Sequence, residues 1–241
     1  MVELNSQVRS ELESLLQKIP ASKMQSAGLA TFYLLAAPSD RANQCVPASA
    51  AIHGALSQYG TKSVIVPATL HVSWSAVVRG SSDPVTQPDG STNGHFIVVT
   101  ENDEFIDATA LQFDDIADRR GVSGFMPLVG RLEGLWSSIT SMDPNVRTVV
   151  PEPGFQIGRG DSYAIYKLHA SEAGSQVVKD YIELNASNNL LGWQRSLADI
   201  FAWMLGNHIL VGERSNEVSQ IDDPAFSHAV KNWLGKPALQ N

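Results

Sequence analysis

The sequence predicts an α+β protein in which helices pack on an antiparallel sheet, and two kinds of pattern indicate this class. Apolar residues recur at helical spacing in residues 2–19, 24–37 and 46–59. Strand-like segments rich in β-branched residues occur at 63–67, 70–78, 95–100 and 162–168, the last with clear alternation. Together these patterns indicate helices that cover a sheet built from short antiparallel strands.

Helices are predicted at both ends of the chain. The first is amphipathic and ends at Pro20, with its apolar residues on one face: Val8, Leu12, Leu15, Leu16 and Ile19. Residues 173–204 also have a helical pattern, whereas residues 114–160 favour no regular element. With 241 residues we expect one α+β domain, with a core at about 38–170 and a helical part at about 171–241.

The only cysteine, Cys45, is predicted to begin a helix. Pro47 suits the first turn of a helix, and apolar residues follow at i, i+4 and i+7: Ile52, Leu56 and Tyr59. Unpaired N–H groups and the positive end of the helix dipole favour a thiolate at such a position. A free cysteine is more often an inert packing residue, and this alternative applies to Cys45 taken alone. The polar residues Asn43 and Gln44 before it favour an exposed, reactive position.

A predicted β-hairpin carries the candidate base and acid. His95 opens its first strand, and Asp107 lies near the end of the second. Because side chains alternate along a strand, the two face the same side only if the numbers of paired residues sum to an even value. A two-residue turn gives an odd sum, so the pair requires a three-residue or five-residue loop, or a bulge. Asp103 and Glu104 are expected to be turn residues without a catalytic role.

The order of these features resembles the transglutaminase-like branch of the papain-like cysteine enzymes. The resemblance covers residues 43–113, and its most specific part is the hairpin that ends in Phe105-Ile106-Asp107-Ala108-Thr109. It implies a papain-like or transglutaminase-like core. It also implies that Cys45 is the nucleophile, that His95 is the general base and acid, and that Asp107 orients the imidazole. The chain departs from the family pattern at Ile97, where an aromatic residue is usual, and in a slightly shorter hairpin.

Acyl transfer also needs donors for the oxyanion that forms on the attacked carbonyl. The backbone N–H of Cys45 is the first candidate, and the side chains of Gln44 and Asn43 are further candidates. Three aromatic residues are candidates to line a substrate groove, although such residues more often belong to the core: Trp74, Phe125 and Trp136.

Several alternatives remain open for the other polar residues. His95 could be a loop histidine, and Asp107 could only bond turn amides. His71 is a rival base because it lies on a neighbouring predicted strand, whereas His53 lies about 12 Å along the helix from Cys45. The histidines show no metal-binding spacing and there is no second cysteine, so no metal and no cofactor is predicted.

Composition restricts the class of partner. The net charge of -8 and the absence of a Lys/Arg cluster argue against nucleic acid. No segment approaches the roughly 20 apolar residues of a membrane span, and no leader pattern opens the chain, so we expect a soluble, cytoplasmic protein without a membrane partner. A single cysteine forms no internal disulfide, which fits a reducing compartment.

These observations predict thiol-dependent acyl chemistry, either hydrolysis or transfer, on a peptide, a protein or a small amide or ester. The alternative is a catalytically inactive domain of the same fold that binds another protein. The two differ in whether Cys45, His95 and Asp107 meet in a cleft that is open to solvent.

Overall fold

The computed structural model has an α+β fold with an antiparallel sheet, as the sequence predicts. It describes Ser26, residues 28–30, Tyr33 and residues 44–113, 127–142, 154–159, 162–186, 190–195 and 197–199. The predicted helix at 2–19 and the end of the chain beyond residue 199 lie outside these residues. No helix in the described ranges is long and apolar enough to cross a membrane.

Seven strands form one sheet, and each pair of neighbours is antiparallel. The order across it is β5-β4-β3-β1-β7-β6, and the short β2 pairs with β1 beside this path. The strands are β1 (Ser63–Val72), β2 (Val78–Arg79), β3 (His95–Thr100), β4 (Glu104–Asp107), β5 (Leu128–Arg131), β6 (Gly154–Arg159) and β7 (Ser162–Leu168).

Three described helices surround the sheet, and a 3-10 turn follows β4. They are α1 (Cys45–Gln58), α2 (Leu135–Thr140) and α3 (Glu172–Asn185), with the 3-10 turn at Ala110–Gln112. Ser26, residues 28–30 and Tyr33 are helical too, as predicted for residues 24–37, and so are residues 190–195 and 197–199.

The helix α1 covers one face of the sheet. Its small buried residues, Ala51 and Ala55 among them, form a core cluster with Val98 of β3 and Ile106 of β4. Alanine also has the highest helix propensity, so this segment favours the helix and allows it to lie close to the strands. The Ser49 hydroxyl donates a hydrogen bond of 3.2 Å to the carbonyl oxygen of Phe96, which ties the start of α1 to the start of β3.

A second cluster fills the opposite face of the sheet. The odd-numbered residues Ile97, Val99 and Phe105 point to this side and pack with Tyr166 of β7 and with α2. All of β3 and β4 is therefore buried on both faces. The center of the sheet is a dry environment, so a polar side chain there needs a hydrogen-bond partner.

The sequence predicted two separate strands at 63–67 and 70–78, and this prediction is wrong. Residues 63–72 form one continuous strand, and the chain then turns before β2. Pro67 lies where the pairing of β1 with β7 ends, one residue before Ala68. The backbone N–H of His169 donates to the Pro67 carbonyl at 3.0 Å. The missing N–H of proline therefore affects only the last residue pair between β1 and β7.

The turn between β3 and β4 has three residues, Glu101, Asn102 and Asp103. Asp103 takes a positive φ of 61°, which is the left-handed residue that three-residue hairpins require. Its carboxylate accepts the backbone N–H groups of Trp136 at 2.9 Å and Gly134 at 3.0 Å. These two bonds lower the pKa of Asp103. Asp103 thus lies in the turn as predicted and holds the start of α2. The same prediction is wrong for Glu104, which is the buried first residue of β4 and accepts the Ser26 hydroxyl at 2.6 Å.

We expect Asp103→Ala to lower the melting temperature, because it removes both acceptors and places alanine at a positive φ. Asp103→Asn should have a smaller effect, since asparagine tolerates this φ and keeps one acceptor oxygen. A carboxyl group with a lowered pKa stabilises the fold above its ordinary pKa of 3.8, and this contribution is lost as the pH falls. The difference in unfolding free energy between wild type and Asp103→Ala should therefore shrink below that pH in denaturant titrations. A constant difference down to pH 2 would contradict this account.

Candidate active site

The hairpin brings His95 and Asp107 to the same face of the sheet. Val98 pairs with Ile106 and Val99 with Phe105, so the numbers of paired residues sum to an even value. The three-residue loop thereby meets the condition set by the sequence. Nε2 of His95 and Oδ2 of Asp107 are 2.7 Å apart.

The Asp107 carboxylate accepts hydrogen bonds from three groups. Oδ2 accepts the Tyr166 hydroxyl at 2.7 Å in addition to His95, and Oδ1 accepts the Thr109 backbone N–H at 2.9 Å. Burial would raise the pKa of Asp107, but the charge of His95 and these hydrogen bonds outweigh burial and lower it. The carboxylate therefore stays ionised although it has no exposed surface. The role of Tyr166 was missed at the sequence level, because an alternating strand predicts its burial but not its partner.

The imidazole of His95 is fully buried and holds its proton strongly. Burial would lower its pKa, but the charge and hydrogen bond of Asp107, with smaller contributions from Cys45, raise it to about 10. Since Nε2 is bonded to Asp107, Nδ1 is the ring nitrogen that is left to exchange a proton with another group. Nδ1 is buried and has no hydrogen bond of normal geometry within the described ranges. Both a hydrogen-bond contribution and the charge of Cys45 help to raise the His95 pKa, so the sulfur lies near the imidazole.

Cys45 is the first residue of α1, as predicted, and it reaches the strand end that carries His95. Its thiol donates to the carbonyl oxygen of Gly94 at 3.5 Å, and Ser49, one helical turn further, bonds to Phe96. Two side chains on the same face of α1 thus contact the residues on either side of His95. This double contact explains how a helix on one face of the sheet places its sulfur beside a side chain of the other face.

The long loop between β2 and β3 borders the site. Gly80, near its start, has a φ of +82°, and a Cβ there would lie 2.8 Å from the Cβ of His95 and 2.3 Å from the Ala68 carbonyl oxygen. Gly94, at its end, provides the carbonyl that accepts the Cys45 thiol. Glycine at position 80 therefore allows the loop to pass close to the backbone and Cβ of His95.

The expectation of an exposed cysteine is wrong. Cys45 is 2% exposed, and His95 and Asp107 have no exposed surface. Cys45, Val46 and Phe96 form a small apolar cluster, and side chains of α3 pack against it: Val177, Val178 and Tyr181. The three predicted catalytic residues therefore lie together in a closed interior site rather than in an open cleft.

Of the predicted oxyanion candidates, Gln44 is placed at the site. It directly precedes Cys45, and its side chain makes no hydrogen bond that caps α1. Its Oε1 accepts the hydroxyl of Tyr33 at 3.0 Å. The backbone N–H of Cys45 belongs to the first turn of the helix, where N–H groups have no intrahelical partner. Asn43 lies outside the described residues.

Two of the predicted groove residues pack on the sheet face that also carries His95 and Asp107. Trp74 and Trp136 pack against the cluster on the sheet face opposite α1, and Phe125 lies outside the described part. His71 is three residues beyond Ala68, the pairing partner of His95, or about 10 Å along the strand. His53 bonds to Ser63 at 2.8 Å, and burial lowers its pKa. His95 is therefore the histidine at Cys45.

Comparisons of the chain with protein-family models, with curated proteins and with solved structures found no match. Among the residues that the structure describes, no group of three or more His, Cys, Asp or Glu side chains could hold a metal ion. What the site does is therefore argued from its geometry.

We expect Tyr166→Phe to destabilise the fold by about 1.5 to 3 kcal/mol, the usual contribution of a hydrogen bond to a charged group. The variant keeps the aromatic ring that stacks on Phe155, with centroids 5.0 Å apart, so packing should change little. Urea titration of the variant measures the loss. Tyr163→Phe, on the same strand but partly exposed, is the control and should unfold like wild type. Equal stability of Tyr166→Phe and wild type would show that the bond to Asp107 contributes nothing.

The paired charges predict how stability depends on pH. A raised pKa at His95 means that its contribution is complete below pH 6.5 and is lost as the pH rises toward about 10. A lowered pKa at Asp107 means that its contribution is present above pH 3.8 and is lost as the pH falls further. The double variant His95→Gln with Asp107→Asn removes both charges and keeps similar shapes. Its unfolding free energy should vary less with pH than that of wild type in both ranges, and parallel curves would refute the ion pair.

Proposed function

We propose that this protein is a thiol-dependent acyl-transfer enzyme that acts on an amide or ester. Cys45 is the nucleophile, His95 the proton carrier and Asp107 the residue that orients the imidazole. The observation that carries the proposal is the buried His95 ring, held at Nε2 by Asp107 with Nδ1 left beside the sulfur. Nucleophile, base and orienting acid occur together, which is the arrangement that activated nucleophiles require.

The hydrogen bonds to Asp107 define the proton path. Because Nε2–H donates to Oδ2, the proton that moves during catalysis is held at Nδ1. The raised pKa of His95 favours the imidazolium, and in the proposed mechanism Nδ1 takes its proton from the Cys45 thiol, which becomes the attacking thiolate. Asp107 stabilises that imidazolium and keeps the ring in one orientation. It is itself held by Tyr166 and Thr109, so it does not rotate away.

The reaction then runs in two steps. The Cys45 thiolate attacks the carbonyl carbon, an S–C bond forms, and the carbonyl electron pair moves to the oxygen. As this intermediate collapses, the bond to the leaving alcohol or amine breaks, and Nδ1 of His95 gives its proton to that group. Water or an acceptor amine attacks the thioester and gives its proton to Nδ1, and collapse releases the thiolate.

The fold adds support for a core of the transglutaminase-like or papain-like type. A helix that begins with the cysteine lies against an antiparallel sheet, and adjacent strands carry the histidine and the aspartate in that order along the chain. Fold likeness is an argument by analogy, so the function rests mainly on the site.

One observation favours a second candidate, a non-catalytic domain that binds another protein. Cys45, His95 and Asp107 are buried, and apolar side chains of α3 pack against the Cys45 cluster. A substrate carbonyl reaches the sulfur only if part of this cover moves. Buried polar networks also occur as purely structural features, so reactivity of Cys45 in the folded protein decides between the two candidates.

The test is acylation of Cys45 by p-nitrophenyl acetate. We expect a burst of nitrophenolate close to one equivalent and the mass of one acetyl group on the peptide that contains Cys45. Cys45→Ala should abolish both. His95→Gln should slow the burst by roughly 10² to 10⁴, the usual contribution of general acid–base catalysis, and Asp107→Asn should slow it less.

His53→Gln is the matched control, because His53 is also a largely buried, hydrogen-bonded histidine of the same region but does not contact Cys45. Its burst should equal that of wild type. A native protein whose cysteine resists both acylation and alkylation, yet is labelled completely in denaturant, would support the binding domain instead.

A further inference from the structure

Tyr33 lies at the candidate site, although neither its position in the chain nor the resemblance points to it. Its hydroxyl donates to Oε1 of Gln44 at 3.0 Å, and Gln44 is the residue immediately before Cys45. The tyrosine side chain comes from the helical segment that precedes α1. It is therefore placed beside the nucleophile by a separate element.

The phenol of Tyr33 is rigidly held. Its residue is 5% exposed, it belongs to the core cluster between α1 and the sheet, and its ring lies 6.0 Å from that of Trp193. Burial, followed by the charges of Tyr181 and Cys45, raises its pKa far above the working range of an enzyme. The hydroxyl thus remains protonated, and it can always donate to Gln44.

The bond to Tyr33 determines which end of the Gln44 amide is left for other partners. An amide has one acceptor end and one donor end. With Oε1 bonded to the tyrosine, the remaining polar atom is Nε2, which carries two N–H donors. This atom makes no hydrogen bond to any residue in the described ranges, and the side chain does not cap α1.

We propose that Tyr33 is a positioning residue of an oxyanion site: its hydroxyl holds Oε1 of Gln44, so that the Nε2–H group of Gln44 and the backbone N–H of Cys45 both bind the carbonyl oxygen of the group attacked by Cys45. This inference rests on the proposed acyl transfer. Without Tyr33 the amide is free to rotate, and half of its orientations place an acceptor oxygen against the developing negative charge.

Two reagents separate this role from a structural one. Acylation by p-nitrophenyl acetate passes through a tetrahedral oxyanion, whereas alkylation by iodoacetamide displaces iodide and forms no oxyanion. Both reactions report on the only thiol of the chain, so the ratio of their rate constants isolates oxyanion stabilisation. A change in access to Cys45 or in its ionisation affects both rates.

In Tyr33→Phe we expect the rate constant of acylation to fall about tenfold, and that of alkylation to stay within about twofold of wild type. Gln44→Met, which removes the amide but keeps the length of the side chain, should lower acylation by about 10², close to the usual effect of one lost oxyanion donor. The double variant should be no slower than Gln44→Met, because the two residues act through one group. Tyr163→Phe is the control, a partly exposed tyrosine of β7, and should leave the ratio unchanged.

Three results overturn the inference. The first is an unchanged ratio in Tyr33→Phe, and the second is an equal fall of both rates, which indicates only a packing role. The third is an unchanged ratio in Gln44→Met, which applies even if Tyr33→Phe does not fold. A wild-type protein that is alkylated but never acylated instead refutes the proposed acyl transfer itself, so the two failures are distinguishable.

Discussion

The contact between the start of α1 and the start of β3 is the constraint on which the candidate site depends. Ser49 and Cys45 lie one turn apart on α1 and donate to the carbonyl oxygens of Phe96 and Gly94, the residues on either side of His95. If the helix shifted by one residue along its axis, about 1.5 Å, neither bond would have its present geometry. The same two contacts therefore set the position of the helix and the position of the sulfur. Because they hold the residues on either side of His95, they also hold the imidazole in place.

The electrostatics of the site follow from this enclosure. A buried carboxylate is stable only when donors surround it, and Asp107 has donors from three different segments, His95, Tyr166 and Thr109. Because Asp107 stays ionised, the buried imidazole of His95 keeps its proton. Low polarity in the surroundings strengthens both effects, since charges interact more strongly away from water. The same burial that costs solvation energy thus fixes the protonation state of the site.

Local patterns in the sequence were sufficient for some parts of this arrangement. The helix start at Cys45 and the hairpin that carries His95 and Asp107 depend on neighbours within a few residues, and both were predicted, whereas the even parity was a condition that only the three-residue loop of the structure meets. Long-range partners carry no local pattern, so neither the bond of Tyr166 to Asp107 nor that of Tyr33 to Gln44 could be predicted. The exposure of Cys45 was predicted wrongly for the same reason, because its cover comes from α3, more than a hundred residues later in the chain.

The buried polar groups themselves argue for a function beyond stability. Replacement of a buried ion pair by apolar side chains of similar volume is often neutral or stabilising, so a sheet interior has no physical need for one. Here the pair is not isolated: Asp107 directs His95, His95 leaves Nδ1 beside the only thiol, and Tyr33 directs the amide next to that thiol. Nδ1 of His95 is buried without a hydrogen bond among the described residues, as is the Thr100 hydroxyl, so what distinguishes this atom is the nearby thiol. We propose on the same grounds that this point is a reactive center, because a strongly raised imidazole pKa beside a thiol is more typical of functional sites than of a core.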